Sequence, residues 1–181
     1  MEAGPAPGIM YADLVTRIIA FIIDAILLGI LAAFVILALG AIFLGSLISG
    51  NFIVALVIGV VLAIANMAVS AAYFIWGWTN PSMRASLGQR FLGLNTVNAA
   101  DGATLTRDQA VRRWAFLYGF VALASALQFA LNGSDLGSLA SLIGLLSFAY
   151  TIYLLYTASQ SSKRQGFHDV QAGTVVIKRV A

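Results

Sequence analysis

The chain has 181 residues, of which 61% are hydrophobic and only 9% charged, with a formal net charge of +3, a mean hydropathy of +0.95 and no cysteine. Soluble domains run near a quarter charged, so this composition excludes a disordered chain, an ordinary soluble enzyme and a fibrous repeat, and points to an integral membrane protein. Without cysteine there is no disulfide framework, thiolate metal site or cysteine nucleophile.

Residues 1–8, with Glu2, Pro5 and Pro7, read as a short disordered tail rather than a signal peptide. No Lys or Arg precedes Arg17, and the apolar run that follows is too long for such a signal. Four stretches then reach the roughly 20 residues that a helix needs to cross hydrocarbon: residues 18–48, with Asp24 their only charge, then 52–78, 114–131 and 139–158. The first two exceed that length and must tilt, bend or extend into an interface.

The segment between spans two and three, residues 79–113, is more than a linker. Ser86-Leu87-Gly88-Gln89 has capping-box spacing and starts a short amphipathic helix. Leu94–Asn98 alternates loosely, Asp101-Gly102 supplies a turn, and residues 103–105 are predicted to return as the second strand of a hairpin. Thr106-Arg107-Asp108-Gln109 is a second capping box, leading into span three. In the tail 159–181, His168-Asp169 reads as a turn, and Thr174-Val175-Val176-Ile177-Lys178 is a β-branched run typical of a strand. A lone hairpin is marginal in water, so this strand is expected to pair with the loop hairpin.

All ten Lys and Arg residues lie before span one, in the long loop or after span four. The positive-inside rule then places both termini and the loop in the cytoplasm, which fits the bacterial inner membrane. Tyr11, Trp76, Trp78, Trp114, Tyr153 and Tyr156 fall at the same ends, as interfacial belt residues do. Small residues four apart (Gly29 and Ala33, Ala41 and Gly45, Gly59 and Ala63, Ala68 and Ala72, then Ala122, Ala126 and Ala130) suit close helix packing. The expected fold is an all-α membrane protein in one domain over residues 1–181. It has four transmembrane helices and a small cytoplasmic cap of one amphipathic helix, a hairpin and a C-terminal strand.

Asp24 is the most informative residue, because an ionisable group in an apolar span is costly. It lies about 14 Å from the span's middle, near the inner edge of the hydrocarbon. Arg17 is about 20° from it around the helix but about 10 Å along the axis, too far for an easy direct bridge, so each takes a partner from elsewhere. Structural ion pairing is one reading of these residues, and a transport or ligand role the other. His168, the chain's one histidine, titrates near neutral pH when unperturbed. With Asp169 and Asp24 it offers a His/Asp/Asp set for a hard cation, but adjacent residues rarely face one ion, and no metal site is assigned. Asn66, near the centre of span two, is expected to hydrogen-bond a neighbouring helix. Arg84, Arg90, Arg112 and Arg113 fit lipid headgroups or a protein partner better than nucleic acid. No nucleophile–base pair, phosphate loop or HExxH stands in the chain, and neither an enzyme nor a cofactor is expected.

Three segments resemble the RDD family of membrane proteins, named for one arginine and two aspartates. They are Thr16-Arg17-Ile18-Ile19-Ala20-Phe21-Ile22-Ile23-Asp24, then Leu87-Gly88-Gln89-Arg90-Phe91-Leu92-Gly93-Leu94, and finally Gln165-Gly166-Phe167-His168-Asp169-Val170-Gln171-Ala172-Gly173-Thr174. By the match, the named residues are Arg17, Asp24 and Asp169. Leu87, Gln89 and Asn95 depart from the family's frequent proline, lysine and basic residue. The resemblance implies a small bacterial membrane protein, with sodium–proton antiport proposed for some members.

Two functions follow. In one, an Arg17/Asp24/Asp169 network with His168 holds a cap that binds headgroups or a partner. In the other, Asp24 alternates between a proton and a monovalent cation. Exchangers bind near the midplane, whereas the charges here fall at the span ends, which favours the first. Four helices are few for alternating access, so self-association is expected for a transporter. The topology is checked directly: reporters fused within residues 98–104 and after Ala181 are both expected to read cytoplasmic, and a periplasmic signal from either would exclude the four-span arrangement.

Overall fold

The computed structural model describes residues 9–131 and 137–179, which hold four helical runs long and apolar enough to cross a membrane. The expected tail 1–8, residues 132–136 of the connection before span four, and residues 180–181 lie outside the described residues. So do the side chains of Phe52, Phe129, Ala130 and Arg179.

The chain opens with β1 (Ile9–Tyr11), after which Asp13 starts α1 (Leu14–Ile48) by accepting the Thr16 N–H at 2.8 Å and its hydroxyl at 2.6 Å. This cap extends α1 one turn before the expected apolar boundary. A tight turn, in which Gly50 takes a φ of +70°, reverses the chain into α2 (Phe52–Thr79), capped by Asn51. Then come α3 (Leu87–Phe91) and β2 (Leu94–Asn98). Next, α4 (Arg107–Trp114), a π-helical segment (Ala115–Gly119) and α5 (Phe120–Leu131) form one continuous third run. The last elements are α6 (Gly137–Gln160), α7 (Phe167–Ala172) and β3 (Thr174–Arg179). Both predicted capping boxes are present, Ser86 with Gln89 and Thr106 with Gln109.

The predicted hairpin is not. The sheet has the order β1-β3-β2 with both pairings antiparallel, and its third strand comes from Ile9–Tyr11, not from residues 103–105. The turn does form, with the Gly102 N–H donating to the Asn98 carbonyl at 2.9 Å. The return leg goes no further than one bond, in which the Asn98 N–H donates to the Ala103 carbonyl at 3.0 Å. All five residues of β2 pair with β3 on one side, while on the other the Thr96 N–H donates to the Arg84 carbonyl at 2.6 Å. The residues after Ala103 lead to the Thr106 cap instead.

The alternation of β3 makes it the central strand. Val176 packs with Leu94, Ala12 and Ala20, joining the sheet to α1, while Val175 and Ile177 pack with Val97, Ile9 and Tyr11 on the other face. A second core sits where α1, α2, α4 and the π segment meet: Phe74, Trp78, Leu105 and Ala110 are buried there. Phe21 stacks on Tyr118, Tyr118 on Phe74, and Phe74 on Trp78, with centroids 5.8, 4.2 and 5.1 Å apart. Trp78 is therefore a core residue, contrary to its reading as a belt residue, whereas Trp76 and Tyr156 stand exposed. Of the small-residue pairs, Gly59 is buried and Ala63 half-buried, while Gly29 and Gly45 face open space.

The contact between sheet and α1 is open to a shape-preserving test. Val176→Thr buries a hydroxyl in that apolar layer and is expected to cost about 1–3 kcal/mol. It should lower the thermal unfolding midpoint in detergent; an unchanged midpoint would show that this face does not hold the cap.

Candidate functional site

Asp169, in the first turn of α7, is fully buried and accepts from four groups. Its Oδ2 accepts from Nη2 of Arg17 on α1 and from its own segment's Gly166 N–H at 3.1 Å. Its Oδ1 accepts from Nη1 of Arg113 on α4 and from the Thr174 hydroxyl at 3.2 Å. One carboxylate thus ties the first helix, the third helical run and the C-terminal segment together. Arg17 donates further, through Nη1, to the carbonyl of Arg164, a residue held at a left-handed φ of +54°. Arg113 also donates from Nη1 to Thr174 Oγ1 at 2.6 Å, and its guanidinium carbon lies 4.9 Å from the centre of the Trp78 ring.

His168 stands beside this clamp, its Nε2 3.4 Å from Asp169 Oδ2. Burial, and then the charges of Arg113 and Arg17, hold its pKa well below the usual imidazole value. The imidazole is neutral at physiological pH, so its approach to Asp169 is dipolar rather than an ion pair. Two guanidinium groups therefore share one carboxylate.

Asp24 belongs to a different arrangement. Its Oδ1 accepts the Tyr73 hydroxyl at 2.6 Å and the Gly88 N–H at 2.8 Å, and its Oδ2 accepts the Ser86 hydroxyl at 2.5 Å. Arg17 is not its partner, and among the described residues no cation forms an ion pair with it. Its three neutral donors come from α2 and the start of α3, so Asp24 pins the loop helix onto the membrane helices. Position 88 must be glycine for this approach, because a Cβ there would lie 2.9 Å from the Asp24 carboxyl carbon. Gln89 secures the same helix from the other side. Its Oε1 accepts from Trp78 Nε1, the Ser86 N–H and the Thr96 hydroxyl, each at 3.0 Å.

The remaining expected site residues divide. Arg113, read from sequence as facing lipid or a partner, is 1% exposed and sits in the clamp. The signal was present: Asp108 lies four residues before Arg112 and pairs with it at 3.0 Å on the exposed face, which leaves Arg113 on the buried face of Ala110. Arg90 is exposed and donates to the Ser82 carbonyl at 2.8 Å, and Arg84 is half-buried. Asn66 bonds its own helix, donating to the Leu62 carbonyl at 2.9 Å, not a neighbour. The acceptor lies one turn back along the same helix. Asp24 and Asp169 take separate partners, and the described residues contain no cluster suited to a metal ion.

A cleft of about 370 Å³ lies between α1, the third run and α6, with both arrangements on its wall through Arg17, Asp24, Arg113 and His168. Its other walls are largely apolar. The π segment shapes it: the Phe116 carbonyl accepts the hydroxyl of Tyr150 on α6 at 2.5 Å, which ties the third and fourth spans side by side.

Comparison with known families gives a match to the model described as RDD family over residues 11–173. Comparisons with curated proteins and with solved structures gave no match.

The two aspartates are separable. Asp169→Asn leaves two buried guanidinium groups without a counter-charge and is expected to cost about 3–5 kcal/mol. Asp24→Asn keeps an acceptor for Tyr73 and Gly88 and is expected to cost about 1–3 kcal/mol. Thermal unfolding of both variants in one detergent checks the order; a larger loss for Asp24→Asn would reverse the assignment.

Proposed function

The chain belongs to the RDD family, and from that premise we propose that it is a non-enzymatic membrane module of the bacterial inner membrane. Its Arg17–Asp169–Arg113 clamp holds a cytoplasmic cap against the helices, and the exposed cations of that cap meet anionic headgroups. One observation carries this reading: a fully buried carboxylate bonded to arginines from two different membrane helices. Removing one member of such a buried set is strongly destabilising, which makes the clamp a structural commitment. Arg90, Arg107, Arg112, Lys163 and Lys178 are exposed around the cap, where each cation near an anionic surface contributes about 1 kcal/mol.

Cation–proton exchange through Asp24 is the competing reading. Against it, both oxygens of Asp24 are already held by Tyr73, Ser86 and Gly88. No other acid stands in the apolar spans to pass a proton or cation along.

The experiment combines attachment and flux. Arg17→Ala is expected to raise hydrogen exchange at the Val175 and Val176 amides as the cap loosens. In liposomes, the wild type and Asp24→Asn are both expected to show no sodium-driven proton flux. Robust exchange by the wild type, lost in a folded Asp24→Asn variant, would overturn the module reading.

A further inference from the structure

The cleft between α1, the third run and α6 is amphipathic, with a polar end that carries two arginines and an apolar body. Phe21, Leu117, Val121 and Leu155 line the apolar part, and Arg17, Asp24, Arg113 and His168 supply the polar lining. Phe21 and Leu155 remain 44% and 41% exposed, so the body opens sideways, toward the hydrocarbon that surrounds these spans.

Arg113 is 1% exposed, yet among the described residues it makes hydrogen bonds only through Nη1, to Asp169 and Thr174. Its Nε is buried with no partner. A buried donor left unmade is costly, and a guanidinium presents its donors in a fork suited to carboxylate or phosphate oxygens. Asp24, on the same cleft wall, does not supply the missing acceptor, because both its oxygens are engaged elsewhere. Asp169 already accepts from four groups. Among the described residues no acceptor is left for the Arg113 Nε.

We propose that the cleft binds one anionic amphiphile, an acyl chain bearing a carboxylate or phosphate head, with the head on the unused Arg113 donors and the chain along the apolar walls. The apolar body disfavours a small inorganic anion, and the sideways opening gives a bilayer molecule direct entry. This goes beyond the module reading, since it concerns cleft occupancy rather than cap attachment, and either can fail while the other stands.

Delipidated full-length protein in a non-ionic detergent is offered oleate, dioleoylphosphatidylglycerol, methyl oleate or inorganic phosphate, and retention is read by native mass spectrometry. One equivalent of oleate or phosphatidylglycerol is expected, with methyl oleate, the same chain without charge, retained at least about tenfold more weakly. Retention of oleate assigns a free acid, and retention of phosphatidylglycerol alone assigns a bilayer lipid; both support the site. Because Arg113 is part of the clamp, occupancy is tested at the far wall: Val121→Trp fills the apolar body and is expected to cut retention about tenfold with cap exchange unchanged. Thr151 lines the cleft from α6, and Thr151→Phe repeats the test there. Equal retention of methyl oleate, binding of inorganic phosphate only, or undiminished retention in both folded wall variants would overturn the proposal.

Discussion

Burial of charge governs this molecule. Arg113 and Asp169 have almost no exposure, and Arg17 only a little. Each alone would be prohibitively placed, because an isolated charge taken out of water costs far more than a hydrogen bond returns. Together they are tolerable, but only if α1, the third run and the C-terminal segment arrive in one geometry. The clamp therefore converts an electrostatic penalty into positional information, fixing where the last strand begins and so where the sheet forms.

The second carboxylate works without a cation. Asp24 gathers hydroxyl and amide donors from α2 and the loop helix. Ser86 serves twice there, capping α3 by accepting the Gln89 N–H and donating to Asp24. The loop helix is thus attached at one end by Asp24 and along its side by Gln89, while β2 is held by the strand that the clamp positions. Two polar anchors of different chemistry support opposite edges of one cap.

The spans were legible because hydropathy is a property of contiguous residues, and the caps because each motif lies within four positions. Contacts between distant residues were not. Tyr73, Ser86 and Gly88 lie 49, 62 and 64 positions from Asp24, and no local pattern marks them as its partners. Asp101-Gly102 does make the turn of a hairpin, but past Asn98 and Ala103 the edge of β2 is taken at Thr96 by Arg84, a residue outside any strand. Trp78 and Arg113 were misread for a shared reason: an aromatic or a cation at a span end suits an interface, but here the two bury one another. The first strand, Ile9–Tyr11, is too short to announce itself and exists only because β3 offers it an edge.

The π-helical segment has a consequence for how the third run can vary. A π turn takes in one residue more than an α turn, so the stretches on either side are out of phase by about 100° relative to an uninterrupted helix. On the cap side this phase directs Arg113 inward to the clamp, while Leu117 within the segment and Val121 beyond it face the cleft. The run behaves as two rotors locked at a set angle, with Tyr150 of the fourth span holding the joint at Phe116. Loss of a single residue between Ala115 and Gly119 would restore a regular helix and turn one rotor against the other. Length in this stretch is consequently as constrained as composition.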